Sequence, residues 1–387
     1  MSLDFATAPY GRRTETDAIF RRFDAGRNLR MLGPRRLGKT FVLHRLEERA
    51  PAHGYTAIRI DVSHCRNERA FFARLCQAIE GKRERGTSLL DSARQRWRQF
   101  SRGGEEGPDS WWQSALKLDW ETFAEHLIAT IAEDQTTRWV LLIDELPVFL
   151  LHLEAAPDGL AQVKSIAYRL RTFQQDYPRL RWLVTGSIGL EPLARRGEYL
   201  GAFTELKPFE LLPLTDEAGR ALLQDWAGAG LFEHRDRISD PEAEAIVTAT
   251  GWLSAYYLEA FAAQLRGTPA ADPTTAAGRV ADARTRLLGP ANRTYFDTWP
   301  EHLRKNFAEP VRGRLFSLLA HLAEGADGGS ADALLPAMQD AALTRTDLLR
   351  LLNILEEDGF IVQEPEPGGC RFRIELLRLW WLRYLPD

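Results

Sequence analysis

Cysteine is scarce. The chain has three, Cys65, Cys76 and Cys370, and no CxxC pair. That excludes a disulfide-stapled framework and a cysteine-based zinc site, and it fits a reducing cytoplasm. No apolar run approaches the roughly 18–20 residues of a membrane span, so no transmembrane segment is expected. The opening MSLDFATAPYGRR lacks the basic-then-apolar pattern of a secretory leader. A dominant charge is missing too. The 50 Lys and Arg against 54 Asp and Glu leave −4, which excludes a polycation drawn to nucleic acid from every side. Lysine is rare, six against 44 arginines, so a lysine at a catalytic-looking spacing stands out. What remains is ordinary: 387 residues, 44% hydrophobic and 27% charged, with mean hydropathy −0.31. Such a chain reads as a soluble globular protein of two or three domains.

Hydrophobic patterning predicts an α/β core. NLRML, YTAIRIDV (55–62), TRWVLLIDE, LRWLVTGS (180–187) and ELKPFELLPL (205–214) read as strands. Helical spacing over 39–49, 69–80, 121–134 and 158–176 separates them, which predicts a parallel sheet with covered faces. The polar stretch from Gly81 to Lys117 reads as a helical or loop insertion outside the core. Its aromatic residues Trp97, Phe100, Trp111 and Trp112 either dock back on the body or serve a contact surface. Beyond Pro213 only helical patterns occur up to about 266, followed by the Pro/Gly/Ala/Thr stretch 266–278. The last part, about 310–387, reads as three helices and two strands around a Pro-Gly-Gly turn, the pattern of a winged helix. The expected domains are a core at 1–210 (insertion about 81–118), a helical lid at 211–280 and a winged helix at 281–387.

Between the first strand and the next helix stands Gly33-Pro34-Arg35-Arg36-Leu37-Gly38-Lys39-Thr40, followed by Phe41. It is a full G-x-x-x-x-G-K-[ST] match in its confirming context, after a strand and before a helix. Its glycines let backbone N–H groups turn in on a phosphate chain, and the helix points its positive end at the same anion. Lys39 is expected on the β- and γ-phosphates of ATP and Thr40 on Mg²⁺. Val140-Leu141-Leu142-Ile143 is a buried strand that delivers Asp144 and Glu145 at its C-terminal end, where open α/β sheets bind ligands. Asp144 would hold Mg²⁺, usually through water, and Glu145 would deprotonate the attacking water. Thr185 and Ser187, ending the LVTGS strand, could hydrogen-bond the γ-phosphate or its water, or simply cap a turn.

These three pieces, in this order, resemble the P-loop ATPases of the AAA+/STAND group, and among them the prokaryotic archaeal-type ATPase family. The resemblance spans nearly the whole chain. Gly11-Arg12-Arg13-Thr14-Glu15 is similar to that family's G-R-x-x-E box, which places Arg12 near the nucleotide base. GPRRLGKT is similar to its Walker A form, IDELPVFL to its Walker B segment and TGS to its sensor-1 strand. Gly251-Trp252-Leu253-Ser254 stands where relatives often carry a lid Gly-x-Pro. The resemblance implies an ATP- and Mg²⁺-dependent regulatory or sensor switch working with a separately encoded effector, in a defence or mobile-element setting. The alternative from a different class is a DNA-associated AAA+ ATPase, similar to origin-recognition or transposition-regulator proteins, gripping duplex through the basic insertion and the winged helix.

A trans-acting arginine, supplied by a neighbouring subunit of an ATP-dependent homo-oligomer, has its candidates in Arg195 and Arg196, one short helix beyond the sensor strand. Solvated helix-end arginines are the alternative. Arg35 and Arg36 either contact phosphates or a neighbouring chain, or pack on the loop surface. The charge of the last module bears on DNA. Val311–Asp387 holds eight arginines and no lysine against twelve acidic residues, which favours a protein partner over nucleic acid.

Overall fold

The computed structural model describes residues 7–100, 111–187, 189–231, 238–266, 275–325, 327–364 and 369–385. The side chains of 83–87, 99, 100, 192 and 196 lie outside that description. Contacts divide the chain into two compact units. The first comprises Thr14–Gly33 and Lys39–Leu211; the second comprises Met1–Arg13, Pro34–Gly38 and Leu212–Asp387.

The first unit is built on five parallel strands: β1 (Asn28–Leu32), β2 (Tyr55–Asp61), β3 (Arg138–Asp144), β4 (Arg181–Gly186) and β5 (Leu206–Pro208), in the order β2-β3-β4-β1-β5. Helices α1 (Arg13–Asp24), α2 (Lys39–Arg49), α3 (Glu68–Glu80), α4 (Arg83–Phe100), α5 (Trp111–Leu118), α6 (Trp120–Glu133), α7 (Leu146–Glu154), α8 (Gly159–Asp176) and α9 (Leu190–Arg196) accompany it. A parallel sheet needs both faces covered, and β3 shows the consequence: Val140, Leu141, Leu142 and Ile143 are all buried. Each such side chain contributes about 1.5–3 kcal/mol on burial. Helix starts follow from side-chain caps: Asn67 accepts from Ala70 N before α3, and Asp119 from Glu121 N and Thr122 N before α6.

Two expectations change. The fifth strand covers only 206–208, pairing Asn28 with Leu206 and Arg30 with Pro208. Pro208 has no N–H to continue a ladder. The stretch expected outside the core folds, among its described residues, as α4 and α5. Leu89, Leu90, Ala93, Trp97, Trp111, Trp112, Ala115 and Leu116 are buried in the unit's hydrophobic core. Trp112 Nε1 also donates to Glu80 at 2.7 Å. Residues 101–110 of that stretch lie outside the described residues.

In the second unit, α10 (Asp216–Gly228), α11 (Asp240–Thr250), α12 (Ala255–Leu265), α13 (Ala276–Leu287) and α14 (Thr298–Asn306) come first. They are followed by α15 (Val311–Glu324), β6 (Gly329–Ser330), α16 (Ala331–Ala337), α17 (Arg345–Glu357), β7 (Ile361–Gln363), β8 (Gly369–Phe372) and α18 (Glu375–Tyr384). The short strands form an antiparallel sheet in the order β6-β8-β7. Thr215, Ser239, Ser254, Ser330 and Thr344 each cap a helix through the side-chain oxygen. Trp299, Trp380 and Trp381 are buried in one continuous core. Trp299 Nε1 donates to Tyr257 Oη at 2.8 Å, which satisfies the indole where water is excluded.

Candidate nucleotide site

The strand order puts β4 between β1 and β3, so the carboxyl ends of these three strands deliver their side chains side by side. The glycine-rich loop leaves β1 after Leu32 and ends where α2 begins at Lys39. Gly38 has φ +98, a conformation that favours glycine. Lys39 is 6% exposed, and its Nζ donates to Gly33 O at 2.7 Å, so the lysine folds back along its own loop. Thr40, one residue on, donates from Oγ1 to Asp144 Oδ2 at 2.8 Å. That bond joins the loop motif to the acidic strand.

Asp144 is 3% exposed. Its other oxygen, Oδ1, accepts a hydrogen bond from Thr185 Oγ1. The pairing follows from register: Ile143 lies opposite Val184, and Asp144 and Thr185 come one step later on the two strands. Glu145 starts the turn into α7 with φ +60, a left-handed conformation unusual for a non-glycine residue. Its Oε2 accepts from Ser187 N at 3.1 Å and Ser187 Oγ at 3.0 Å. Gly186 between the two hydroxyl residues has a separate reason. A Cβ there would lie 2.5 Å from Pro147 Cδ at the start of α7. The Thr-Gly-Ser segment thus holds one carboxylate, makes room for the helix that follows, and holds the second carboxylate.

The donor set fits a hard divalent cation. Adjacent oxygens of an octahedral shell with bonds of 2.0–2.1 Å lie roughly 2.9 Å apart, close to the Thr40–Asp144 separation of 2.8 Å. Among the described residues no group of three or more His, Cys, Asp or Glu could hold a metal by itself.

Arg12, Pro34, Arg35, Arg36, Leu37 and Gly38 belong to the second unit. Arg12 is 4% exposed, has φ +55 and donates to Leu212 O at 2.9 Å and Leu37 O at 3.4 Å. Arg35 donates to Thr298 O at 3.2 Å. Arg36, with φ +66, lies over the Tyr256 ring at 4.1 Å, a cation–π contact. Burial pushes the Tyr256 phenol above its ordinary 10.0, and Arg36 partly opposes that rise. Pro34 is close enough to Gly359 that a Cβ on that glycine would meet it at 2.3 Å. Sequence reasoning missed Tyr256, Thr298 and Gly359, because no local pattern ties them to residues more than 200 positions away. Phe41 is half-buried on α2. Arg195 is exposed at the end of α9, and the side chain of Arg196 lies outside the described residues. Gly251 has φ +69, and Ser254 caps α12.

The fold is that of the P-loop ATPases, a parallel α/β sheet with accompanying helices. The chain is similar to the Walker-type ATPase paby2304 of Pyrococcus abyssi, at 16% identity and a TM-score of 0.65 over 96% of this chain and 95% of that one. It is also similar to the Aeropyrum pernix ORC2 protein in its ADPNP–ADP complexes, at 13% identity and a TM-score of 0.53 over 97% and 92%. No protein-family model and no curated protein sequence matches the chain.

Proposed function

We propose that this protein binds ATP with Mg²⁺ and hydrolyses it to ADP and phosphate. The observation that carries the reading is the Thr40–Asp144 hydrogen bond, which brings the phosphate-loop motif and the acidic strand into one place. Lys39 would neutralise charge on the β- and γ-phosphates, and Gly33 to Phe41 would wrap the phosphate chain. Thr40 and Asp144 would hold Mg²⁺, which supplies charge neutralisation across the phosphates. Glu145 is the base that takes a proton from the attacking water. Two hydrogen bonds from Ser187 fix where that carboxylate stands. The experiment is steady-state hydrolysis by wild type and Glu145→Gln, each with its ATP affinity. The variant should lose about 10²–10⁴-fold in turnover and keep its affinity. Equal turnover would remove Glu145 from the role.

The hydrolysis is read as a regulatory switch, with a separately encoded protein effector or a neighbouring copy of the chain as partner. Arg195 or Arg196 would reach the transition state from that copy. Alanine at either should then lower turnover while leaving ATP binding intact. The β6-β8-β7 sheet with α15, α16 and α17 is taken as a winged helix that serves protein contact. Of the eight arginines in Val311–Asp387, six sit in ion pairs: Arg312 with Glu309, Arg314 with Asp340, Arg345 with Asp332, Arg350 with Asp347, Arg371 with Glu364 and Arg378 with Glu375. Arginines already facing carboxylates are poorly placed to release counterions from DNA. In the basic insertion Lys82 pairs with Glu47 and Arg96 with Glu133. Absence of duplex binding at low salt, with and without ATP, would remove the DNA-associated reading. The three cysteines are buried and free, which suits a reducing compartment such as the cytoplasm.

A further inference from the structure

We infer that Thr185 is a positioning residue for the metal-facing carboxylate, fixing the plane in which Asp144 presents an oxygen to the divalent ion. The inference rests on the Mg²⁺–ATP reading above.

A terminal carboxylate torsion is broad and has no strong preference of its own. Asp144 must therefore be oriented by its neighbours. Thr40 at the start of α2 and Thr185 in β4 approach it from two different elements and take one oxygen each, Oδ2 and Oδ1. The two donors are not equivalent. Thr40 follows the lysine of the phosphate loop and is exposed, so its hydroxyl lone pairs can turn toward an ion. Thr185 is fully buried within β4, with no access for solvent. Its branched side chain is stiff at χ1 on a strand, so the hydroxyl stays aimed at Asp144. Thr185 occupies one oxygen and so holds the carboxylate plane in the setting that puts the other oxygen beside Thr40. Ligating carboxylates are themselves commonly hydrogen-bonded, and losing such a partner costs about 10–100-fold in metal affinity or activity.

The test uses the full chain and a fluorescent ATP analogue titrated at a series of Mg²⁺ concentrations. Thr185→Val keeps the side-chain volume and removes the donor. It should raise the Mg²⁺ concentration for half-maximal tightening of nucleotide binding by about tenfold or more. Binding in excess EDTA should stay unchanged, because the phosphate loop is untouched. Thr185→Ser, which restores the hydroxyl, should bring the Mg²⁺ requirement back toward wild type. A purely structural role would instead shift metal-free and metal-dependent binding together, and serine would not rescue the metal term selectively. Should valine prevent folding, Thr185→Ala carries the same comparison against serine. Wild-type nucleotide binding with an unchanged Mg²⁺ requirement in the donor-less variants overturns the inference alone. No nucleotide binding by wild type at any Mg²⁺ concentration overturns the ATP reading and this inference with it.

Discussion

Both units bury polar side chains, but they use them differently. In the first unit Asp144, Thr185 and Ser187 are buried at the carboxyl ends of two adjacent strands, and their hydrogen bonds run to Thr40 and Glu145 on the connecting turns. In the second unit His302 and Asp358, both 2% exposed by side chain, bond each other at 2.9 Å between α14 and the end of α17. Arg378 similarly donates to Ala323 O and Glu375. The His302–Asp358 and Arg378–Ala323 bonds of the second set join helices within that unit's core, while Glu375 is exposed. The first stands where an open parallel sheet receives ligands. Burial of a polar group therefore does not set the candidate site apart here; its place at a strand end does.

That contrast can be broken by mutation, and the largest expected effect is at the strand ends. Lys39→Ala should reduce ATP turnover by about 10²–10³-fold through loss of a phosphate-facing cation, with the thermal midpoint close to wild type. If it lowers stability and leaves turnover alone, the lysine belongs with the structural set. His302→Ala should do the opposite. Removing one partner of buried Asp358 costs about 1–3 kcal/mol, read by denaturant unfolding, while ATP affinity in the first unit persists. Gly186→Ala sharpens the comparison, because its cost comes from Pro147. The enforced overpacking should destabilise by about 1–3 kcal/mol and disturb the Thr185 and Ser187 hydrogen bonds on either side, so turnover falls as well.

The smallest effect is a pH dependence. Burial acts to raise the Glu47 carboxyl, but hydrogen bonds and charge from Lys82 and Arg59 outweigh it, and the group sits below its ordinary 4.5. A carboxyl depressed in the folded state adds stability that is complete above the unfolded value. That stability is lost as pH falls through the folded one. Glu47→Gln should therefore lose that contribution in full at pH 7 and converge on wild type as pH falls below about 4.5, which flattens the acid side of the stability profile. Unfolding midpoints measured from pH 3 to 7 would show it. A loss of the same size at every pH would mean the side chain matters by packing alone.

Much of the first unit was legible because its signals are local. A continuous apolar strand ending in Asp144-Glu145 and a glycine loop before a helix each carry their chemistry within a few residues. The helical, aromatic-docking reading of the insertion holds, but its placement outside the core does not, for an equally local reason. Leu89, Ala93 and Trp97 repeat at helical spacing, but the charged residues of GKRERG and RQRWRQF dominate the composition around them. The role proposed for Thr185 depends on strand register, which the sequence hints at only through the shared carboxyl end of two apolar runs. Arg36 over Tyr256 and Pro34 against Gly359 had no sequence signal, since both partners lie far along the chain.

The most direct test of the account is the Mg²⁺ dependence of ATP affinity in wild type and Asp144→Asn. Wild type should bind ATP more tightly as Mg²⁺ rises, and the variant should lose that gain while keeping its metal-free affinity. An Asp144→Asn protein that responds to Mg²⁺ as wild type does would contradict the account.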